Sequence, residues 1–551
     1  MKGPLGLLAL LLCHCNPQTS TPPAPVFVDR TEAAGIDFVH RSGERIKNYI
    51  VEAKGGGGAW LDYDGDGYLD IYLTNGARLR PGPGPAPTNA LYRNQGNGTF
   101  TEVTQKAGVG DTAWGMGSIA ADCDNDGDQD LYLTNYGPNR LYRNKGNGTF
   151  ADGAVRAGVA LPDWSTGATF GDYDGDGDLD LYVAQYVEFS PATAPPRGGM
   201  WKGTLVFAGP VGLPAAADAL FRNEGDGTFT QVSQQANVAP ARPGYGLDAL
   251  FADFDDDGDA DLYVANDSVA NFLFVNQGNG TFIETARSAG AALSGEGTPQ
   301  AGMGLAYADW DNDGDQDYLV THFEDDYNTL YRNLGGGFFT VASAAVGLDA
   351  ASRPPLGFGA CFLDWDNDGD QDLAVANGHV YPQTRHLNTA GYAQANQLFA
   401  NQGRKAAWRL VETPAGDFNQ AQVSRGLARA DWDDDGDLDL LVVNLDGPPS
   451  LLRNDGGNAY NYLRLRLQGR TSNRDAIGAK ISARAGDLTQ TFELVSGGGF
   501  LSSSAHSIHI GLARHQRLDQ LEIRWPSGAV QHLQGVAANQ TLILAEPPHP
   551  N

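Results

Sequence analysis

A nine-residue pattern, D-x-D-x-D-G-x-x-D, occurs seven times in this chain of 551 residues, and no other feature restricts the fold as tightly. Its carboxylates are Asp62, Asp64, Asp66 and Asp70; Asp122, Asp124, Asp126 and Asp130; Asp172, Asp174, Asp176 and Asp180; Asp253, Asp255, Asp257 and Asp261; Asp309, Asp311, Asp313 and Asp317; Asp364, Asp366, Asp368 and Asp372; and Asp431, Asp433, Asp435 and Asp439. Alternate carboxylates on a tight loop offer hard oxygen ligands to one centre, which is calcium chemistry, and the invariant glycine at position 6 permits the sharp turn that the wrap requires. Each copy runs directly into a strand-like segment such as Ile71-Tyr72-Leu73-Thr74. The loop therefore joins two strands, unlike the helix-flanked EF-hand loop.

Two further signatures recur between the loops. One is Leu91-Tyr92-Arg93-Asn94, repeated as Leu141 to Asn144, Leu220 to Asn223 and Leu330 to Asn333. The other is Asn97-Gly98-Thr99-Phe100, repeated near Asn147, Asp226 and Asn279, and Asn-Gly or Asp-Gly between apolar stretches signals a hairpin. Each repeat reads as four strands: a small, glycine-rich strand A, the acid loop, strand B, strand C with its Arg-Asn pair, and strand D after the turn. Seven four-stranded units without helical patterning predict a seven-bladed β-propeller over residues 26–457. The segment Phe27 to Thr31 resembles a strand D yet precedes the first loop, while the last repeat lacks one. The amino terminus is thus expected to complete the seventh blade and leave no open sheet edge. Insertions at Thr74 to Asn89, Gln185 to Asp218 and Gly378 to Asn396 all fall between strands B and C, so they should emerge on the face opposite the acid loops.

The formal net charge is -30, which argues against nucleic acid and anionic membrane surfaces as partners. The seven loops hold 28 of the 67 acids, so much of that charge is metal ligand. Met1-Lys2 and the apolar run Leu5 to Leu12 read as an export leader over 1–15, followed by a Pro/Thr/Ser-rich linker over 16–25. Cys13 or Cys15 would make it a lipoprotein leader, and such an anchor is the expected route to a membrane. Cys123 and Cys361 are expected to be buried free thiols.

From 461 to 546 the repeat gives way to period-two alternation, as in Tyr462-Leu463-Arg464-Leu465-Arg466-Leu467, predicting a small all-β domain. The acid loops with Leu-Tyr-Arg-Asn and Gly-Thr-Phe resemble FG-GAP/VCBS repeats, the kind that build the integrin alpha-subunit propeller. Ser472-Asn473-Arg474-Asp475-Ala476-Ile477-Gly478-Ala479, Ser496-Gly497-Gly498-Gly499-Phe500 and Arg524-Trp525-Pro526-Ser527-Gly528 resemble the ASPIC/UnbV domain. Together they resemble the cartilage acidic protein family. That resemblance implies a secreted, periplasmic or surface-held calcium-binding protein of adhesion and matrix, with a protein or glycan ligand. The domain's other namesake implies a link to enediyne biosynthesis. Met200 and Ala208 stand where relatives would carry cysteines.

Calcium is expected to be structural, up to seven ions clamping hairpins whose carboxylates would otherwise repel. The residue 13 positions after each motif start is polar in all seven copies: Asn75, Asn135, Gln185, Asn266, His322, Asn377 and Asn444. These residues read either as caps of the B-to-C connection or as a rim that contacts a ligand, with Trp201, His379 and Tyr381 nearby. The Asn-x-Thr/Ser triplets at Asn97, Asn147, Asn279, Asn266 and Asn539 fit glycosylation formally, but four of the five belong to recurring turn signatures. The alternative to a binding protein is an enzyme of secondary metabolism, of enediyne-tailoring type, that uses the central funnel. No H-E-x-x-H, G-x-S-x-G, P-loop or dinucleotide fingerprint supports it, and His40, Glu52, His322 and His379 stand as isolated candidates.

Overall fold

The computed structural model describes residues 25–548 except 45, 81–83, 195–197, 388–389, 404–405 and 413–415. The expected leader over 1–15 and the linker up to residue 24 lie outside the described residues. Each acid loop joins the first two strands of a four-stranded antiparallel sheet, and the described residues form seven such sheets. Blade 2 is typical: strand A is Trp114–Ala121, B is Asp130–Tyr136, C is Arg140–Asn144 and D is Phe150–Asp152. Strand B is buried along nearly its whole length because it lies between neighbouring sheets, so its residues are apolar on both sides rather than alternating.

The innermost strands are Gly58–Leu61, Trp114–Ala121, Ser165–Gly171, Gly246–Ala252, Leu305–Ala308, Gly357–Leu363 and Ser424–Ala430. They pack in chain order, and the seventh packs against the first. Closure is made by the amino terminus: Val26–Asp29 pairs antiparallel with Ser450–Asp455, Phe27 lying opposite Asn454. The seventh sheet thereby gains the strand D that its own repeat lacks. The three long B-to-C insertions leave at the end opposite the acid loops, and the one in blade 3 forms a hairpin of its own, Gly199–Trp201 with Thr204–Val206.

A second ring of hydrogen bonds ties blade to blade. In every blade the strand C asparagine donates its side-chain N–H to the carbonyl of the residue after the first loop aspartate of the preceding blade. The bonds are Asn94 to Trp432 (3.0 Å), Asn144 to Tyr63 (2.9 Å), Asn223 to Cys123 (2.9 Å), Asn276 to Tyr173 (2.7 Å), Asn333 to Phe254 (3.2 Å), Asn401 to Trp310 (2.8 Å) and Asn454 to Trp365 (2.7 Å). The first copy reaches back to the seventh, so the order of the bonds is itself circular. Cys123 and Cys361 are buried free thiols.

The carboxy-terminal segment builds two sheets, one of Asn461–Gln468, Ile508–Ala513 and Thr541–Ala545, the other of Lys480–Ala485, Leu488–Glu493, Arg517–Arg524 and Val530–Ala537. Leu463, Leu465, Ile481, Leu521, Ile523 and Trp525 fill the space between them. This domain is not a free appendage, because its segment from Ser496 to Ser503 enters the centre of the ring and touches all seven blades. The Ser503 N–H donates to Gly58 O (2.9 Å), Ser118 N–H to Leu501 O (3.1 Å), Thr169 Oγ1 to Ser496 O (2.8 Å), Phe500 N–H to Asp248 Oδ2 (3.2 Å), Gly499 N–H to Leu305 O (2.9 Å) and Leu427 N–H to Gly499 O (2.9 Å). The Phe500 ring packs on Phe358 of the remaining blade at 4.9 Å.

The small residues of strand A therefore make room for the plug. A Cβ at Gly57 would collide with the Leu501 carbonyl. Gly497, Gly498 and Gly499 all have positive φ (90°, 82° and 75°), a run that only glycine adopts without strain.

Candidate functional site

The acid loops are organised before any ion is considered. The position 1 carboxylate accepts backbone N–H groups of its own loop, as Asp62 does from Asp66 (3.1 Å) and Gly67 (2.9 Å) and Asp364 does from Asp368 (3.0 Å) and Gly369 (2.8 Å). The position 9 carboxylate is held by the N–H of the strand C asparagine: Asn94 to Asp70, Asn144 to Asp130 and Asn333 to Asp317 are each 2.7 Å. Three carboxylate oxygens converge within 4.8 Å of one another in Asp62, Asp64 and Asp66, in Asp122, Asp124 and Asp126, in Asp172, Asp174 and Asp180, in Asp253, Asp255 and Asp261, and in Asp309, Asp311 and Asp317, with two further groups.

Buried oxygens of Asp64, Asp253, Asp317, Asp431 and Asp433 have no hydrogen-bond donor. An oxygen without a donor inside a loop whose carboxylates converge is a lone pair that fits a hard divalent cation. Burial pushes the Asp70 and Asp261 carboxyls up to about 8 and Asp431 up to about 7, above the usual carboxylate range. A divalent charge at the centre reverses that penalty.

The arginine of Leu-Tyr-Arg-Asn, whose role the sequence did not disclose, partly neutralises three of the loops. Arg93 meets Asp64 (2.6 Å) and Asp66 (2.7 Å), Arg332 meets Asp311 (2.8 Å) and Asp313 (2.5 Å), and Arg143 meets Asp124 (3.1 Å) and Asp130 (2.9 Å). The carboxy-terminal domain sits on the same face and adds its own contacts. Lys480 pairs with Asp253 (2.7 Å) and Asp256 (2.6 Å), Arg464 pairs with Asp431 (2.8 Å), Thr491 Oγ1 donates to Asp309 (2.7 Å), and the Asp122 N–H donates to Asp475 (2.8 Å).

At the other end of strand B the seven polar residues are buried, none more than 6% exposed. The backbone N–H groups of Asn75, Asn135, Asn266, His322 and Asn377 are capped by the side-chain oxygens of Asn89, Asn139, Asn271, Asn328 and Asn396, and that of Gln185 by Asp218, at 2.7 to 3.0 Å. The side-chain amides of Asn135, Asn266 and Asn444 turn back to Pro138, Ala270 and Pro448 carbonyls, and that of Gln185 to Ala217. These residues are internal caps of the B-to-C connection, and as a ligand-contacting rim they do not reach solvent.

The isolated candidates also part company. Glu52 accepts three backbone N–H groups, from Glu44, Asn48 and Tyr49. Burial lowers His40 to about 4 and His322 to about 3, so both are neutral. Of these histidines, His379 alone is within ion-pair distance of a carboxylate, Glu324, at 3.2 Å.

Ring, acid loops and repeat signatures define a β-propeller of acid-loop repeats. The FG-GAP-like repeat model matches 62–133, 122–183, 204–264, 253–320 and 309–375, and the model described as ASPIC and UnbV matches 469–551. The chain belongs to the cartilage acidic protein-like family, FG-GAP-like repeats followed by an ASPIC and UnbV domain. It is 28% identical over 278 residues to cartilage acidic protein 1 of Mus musculus, covering 49% of this chain and 40% of that one. The Homo sapiens protein is 27% identical over 49% and 39%. The chain thus spans about two fifths of the length of the curated relatives it matches. Among solved structures it is similar to an Agrocybe aegerita lectin that recognises non-reducing terminal N-acetylglucosamine (TM-score 0.38, 17% identity, 72% of this chain and 86% of that one). It is also similar to YCF48 bound to D1 peptide (TM-score 0.40, 8% identity, 73% and 92%).

Proposed function

We propose that this protein is exported and works outside the cytoplasm as a calcium-clamped, non-enzymatic propeller that binds a protein or glycan ligand of the matrix or cell envelope, in adhesion or a related role. The observation that carries this reading is the division of the ring into two faces. One bears all seven acid loops and is covered by the carboxy-terminal domain; the other bears the insertions and stays open. Relatedness to cartilage acidic protein 1 supports an extracellular setting. Among the described residues no helix is long and apolar enough to cross a membrane.

The residues at the axis speak for binding over catalysis. Phe500, Leu501, Met116, Met303 and Leu247 are buried together where an enzyme would need an open funnel. Calorimetric titration of chelator-treated protein with Ca2+, paired with a pull-down from envelope extract with calcium and again with chelator, tests the reading. Several binding sites and a calcium-dependent partner are expected. A protein that takes up no calcium and captures the same material in chelator would exclude it.

A further inference from the structure

On the open face a cavity of about 600 Å³ lies among the insertions. Trp201 from the blade 3 hairpin, Phe323 after strand B of blade 5 and Tyr381 from the blade 6 insertion form its aromatic wall, with Trp201 5.0 Å from Phe323 and 6.4 Å from Tyr381 between ring centroids. Against that wall stands Glu324, only 3% exposed. Its Oε2 lies 3.2 Å from His379 Nε2, while His379 Nδ1 accepts the Tyr381 N–H at 3.0 Å. Accepting that N–H leaves the imidazole with its proton on Nε2, facing Glu324, and with no lone pair to act as a base. His379 walls the carboxylate by close approach rather than by a well-aligned hydrogen bond, and the pair performs no acid–base step.

The remaining oxygen, Glu324 Oε1, already holds an ammonium. Lys202 Nζ, from the tip of the blade 3 hairpin, lies 2.7 Å from it, 3.0 Å from Asp325 Oδ2 and 5.3 Å from the centroid of the Trp201 ring. Carboxylates on one side and an indole face on the other are the surroundings that recognise an organic cation. Lys202 and Asp325 are 36% and 65% exposed in their side chains, so solvent screens their pairing and the lysine is readily exchanged. The cavity's other buried acid, Asp267, offers no second seat, because Lys54 (3.1 Å), Tyr186 (2.5 Å) and Ser268 (2.8 Å) already occupy it. Val211, which lines the cavity, is 69% exposed, and the cross-strand pair Met200 and Leu205 on the hairpin face opposite Trp201 is 67% and 52% exposed, so three of the twelve exposed large apolar side chains among the described residues lie on this one insertion. Exposed apolar surface at and beside the cavity is covered by a polypeptide more readily than by a free amine.

We propose that this cavity is the recognition site of the open face and takes a lysine side chain presented by a partner protein, whose ammonium replaces that of Lys202 between Glu324 and Asp325 against Trp201. The proposal rests on the reading of this face as the binding face and names the chemistry it selects.

Ligand-observed NMR titration of the calcium-loaded full chain, with its melting midpoint checked first, tests it with three probes: Nα-acetyl-lysine methylamide, the norleucine analogue that lacks the ammonium, and 1,5-diaminopentane. Lys202→Ala should bind the lysine derivative about tenfold tighter than the parent because the internal competitor is gone. Adding Glu324→Gln should reverse that gain, and Asp325→Asn, on the surface and harmless to folding, should weaken binding severalfold. Absence of saturable binding in Lys202→Ala, equal binding of the norleucine analogue, or indifference to both acid substitutions would overturn the site. Diaminopentane binding as tightly as the lysine derivative would overturn the assignment to a protein segment. Calcium-dependent melting without lysine binding would count against this site alone; lysine binding with chelator-insensitive melting would count against the metal reading alone.

Discussion

The two faces of this ring are made by the same seven repeats and could hardly differ more. On the loop face every blade presents nearly the same nine residues, and their carboxylates turn inward to their own loop, to strand C and to the cations of the carboxy-terminal domain. On the opposite face the repeats diverge, three of them carry long insertions, and those of blades 3 and 6 help to wall an acid-lined aromatic cavity. Repetition here serves closure and rigidity. Departure from repetition makes the surface that can distinguish one partner from another.

That contrast can be broken experimentally, because loop-face changes should move stability while open-face changes should move binding. Chelation should have the largest effect. Seven sites each filled at a few times their dissociation constant contribute on the order of 1 kcal/mol apiece, several kcal/mol together. A fall in melting midpoint on the order of 10 °C is expected by calorimetry. An unchanged midpoint would remove the metal from the stability account. Next comes the plug: Phe500 is fully buried against Phe358, and Phe500→Ala should cost about 3–5 kcal/mol in a denaturant titration. A loss under 1 kcal/mol would show that the ring closes without it.

Asn144→Ala removes one blade-to-blade bond and leaves the Tyr63 carbonyl buried without its donor, for an expected loss of about 1–3 kcal/mol. The pH dependence follows from the buried histidines. His322 and His40 have folded values near 3 and 4, below the unfolded value of about 6.5, so their neutral packing is fully stabilising above pH 6.5 and that contribution is lost as pH falls toward 4. In saturating calcium the urea midpoint should drop between pH 7 and 5, and His322→Gln should flatten the drop. A slope unchanged in that variant would rule His322 out as its source. Smallest of all, Asp325→Asn on the open face should leave stability within about 0.5 kcal/mol of the parent while weakening lysine binding.

Much of this architecture was legible because repeats make a local pattern speak seven times. The acid loops, the hairpin turns, the direction in which the insertions leave and the borrowed strand at the amino terminus all followed from short-range rules, and strand pairing between Val26–Asp29 and Ser450–Asp455 agrees with the phase of the sequence repeat. The polar residues at the end of strand B were visible as a pattern, yet whether they faced inward as caps or outward to a ligand depended on five asparagines and one aspartate farther along the chain, the most distant being the Asp218 that caps Gln185 from 33 residues away. The asparagine of Leu-Tyr-Arg-Asn was read only as a strand marker, since its partner lies in another repeat.

Sequence by itself determined the units: where each carboxylate cluster forms, where each hairpin turns, and that seven such units need a closing strand. Tertiary structure alone decided how those units are locked and where the surface opens. The plug from Ser496 to Ser503 meets residues as distant as Gly58 and Leu427, and the cavity joins Trp201, Glu324 and His379 from three different blades. Local rules follow from backbone geometry within a few residues, whereas contacts across hundreds of residues exist only once the ring has closed and brought them within hydrogen-bond reach.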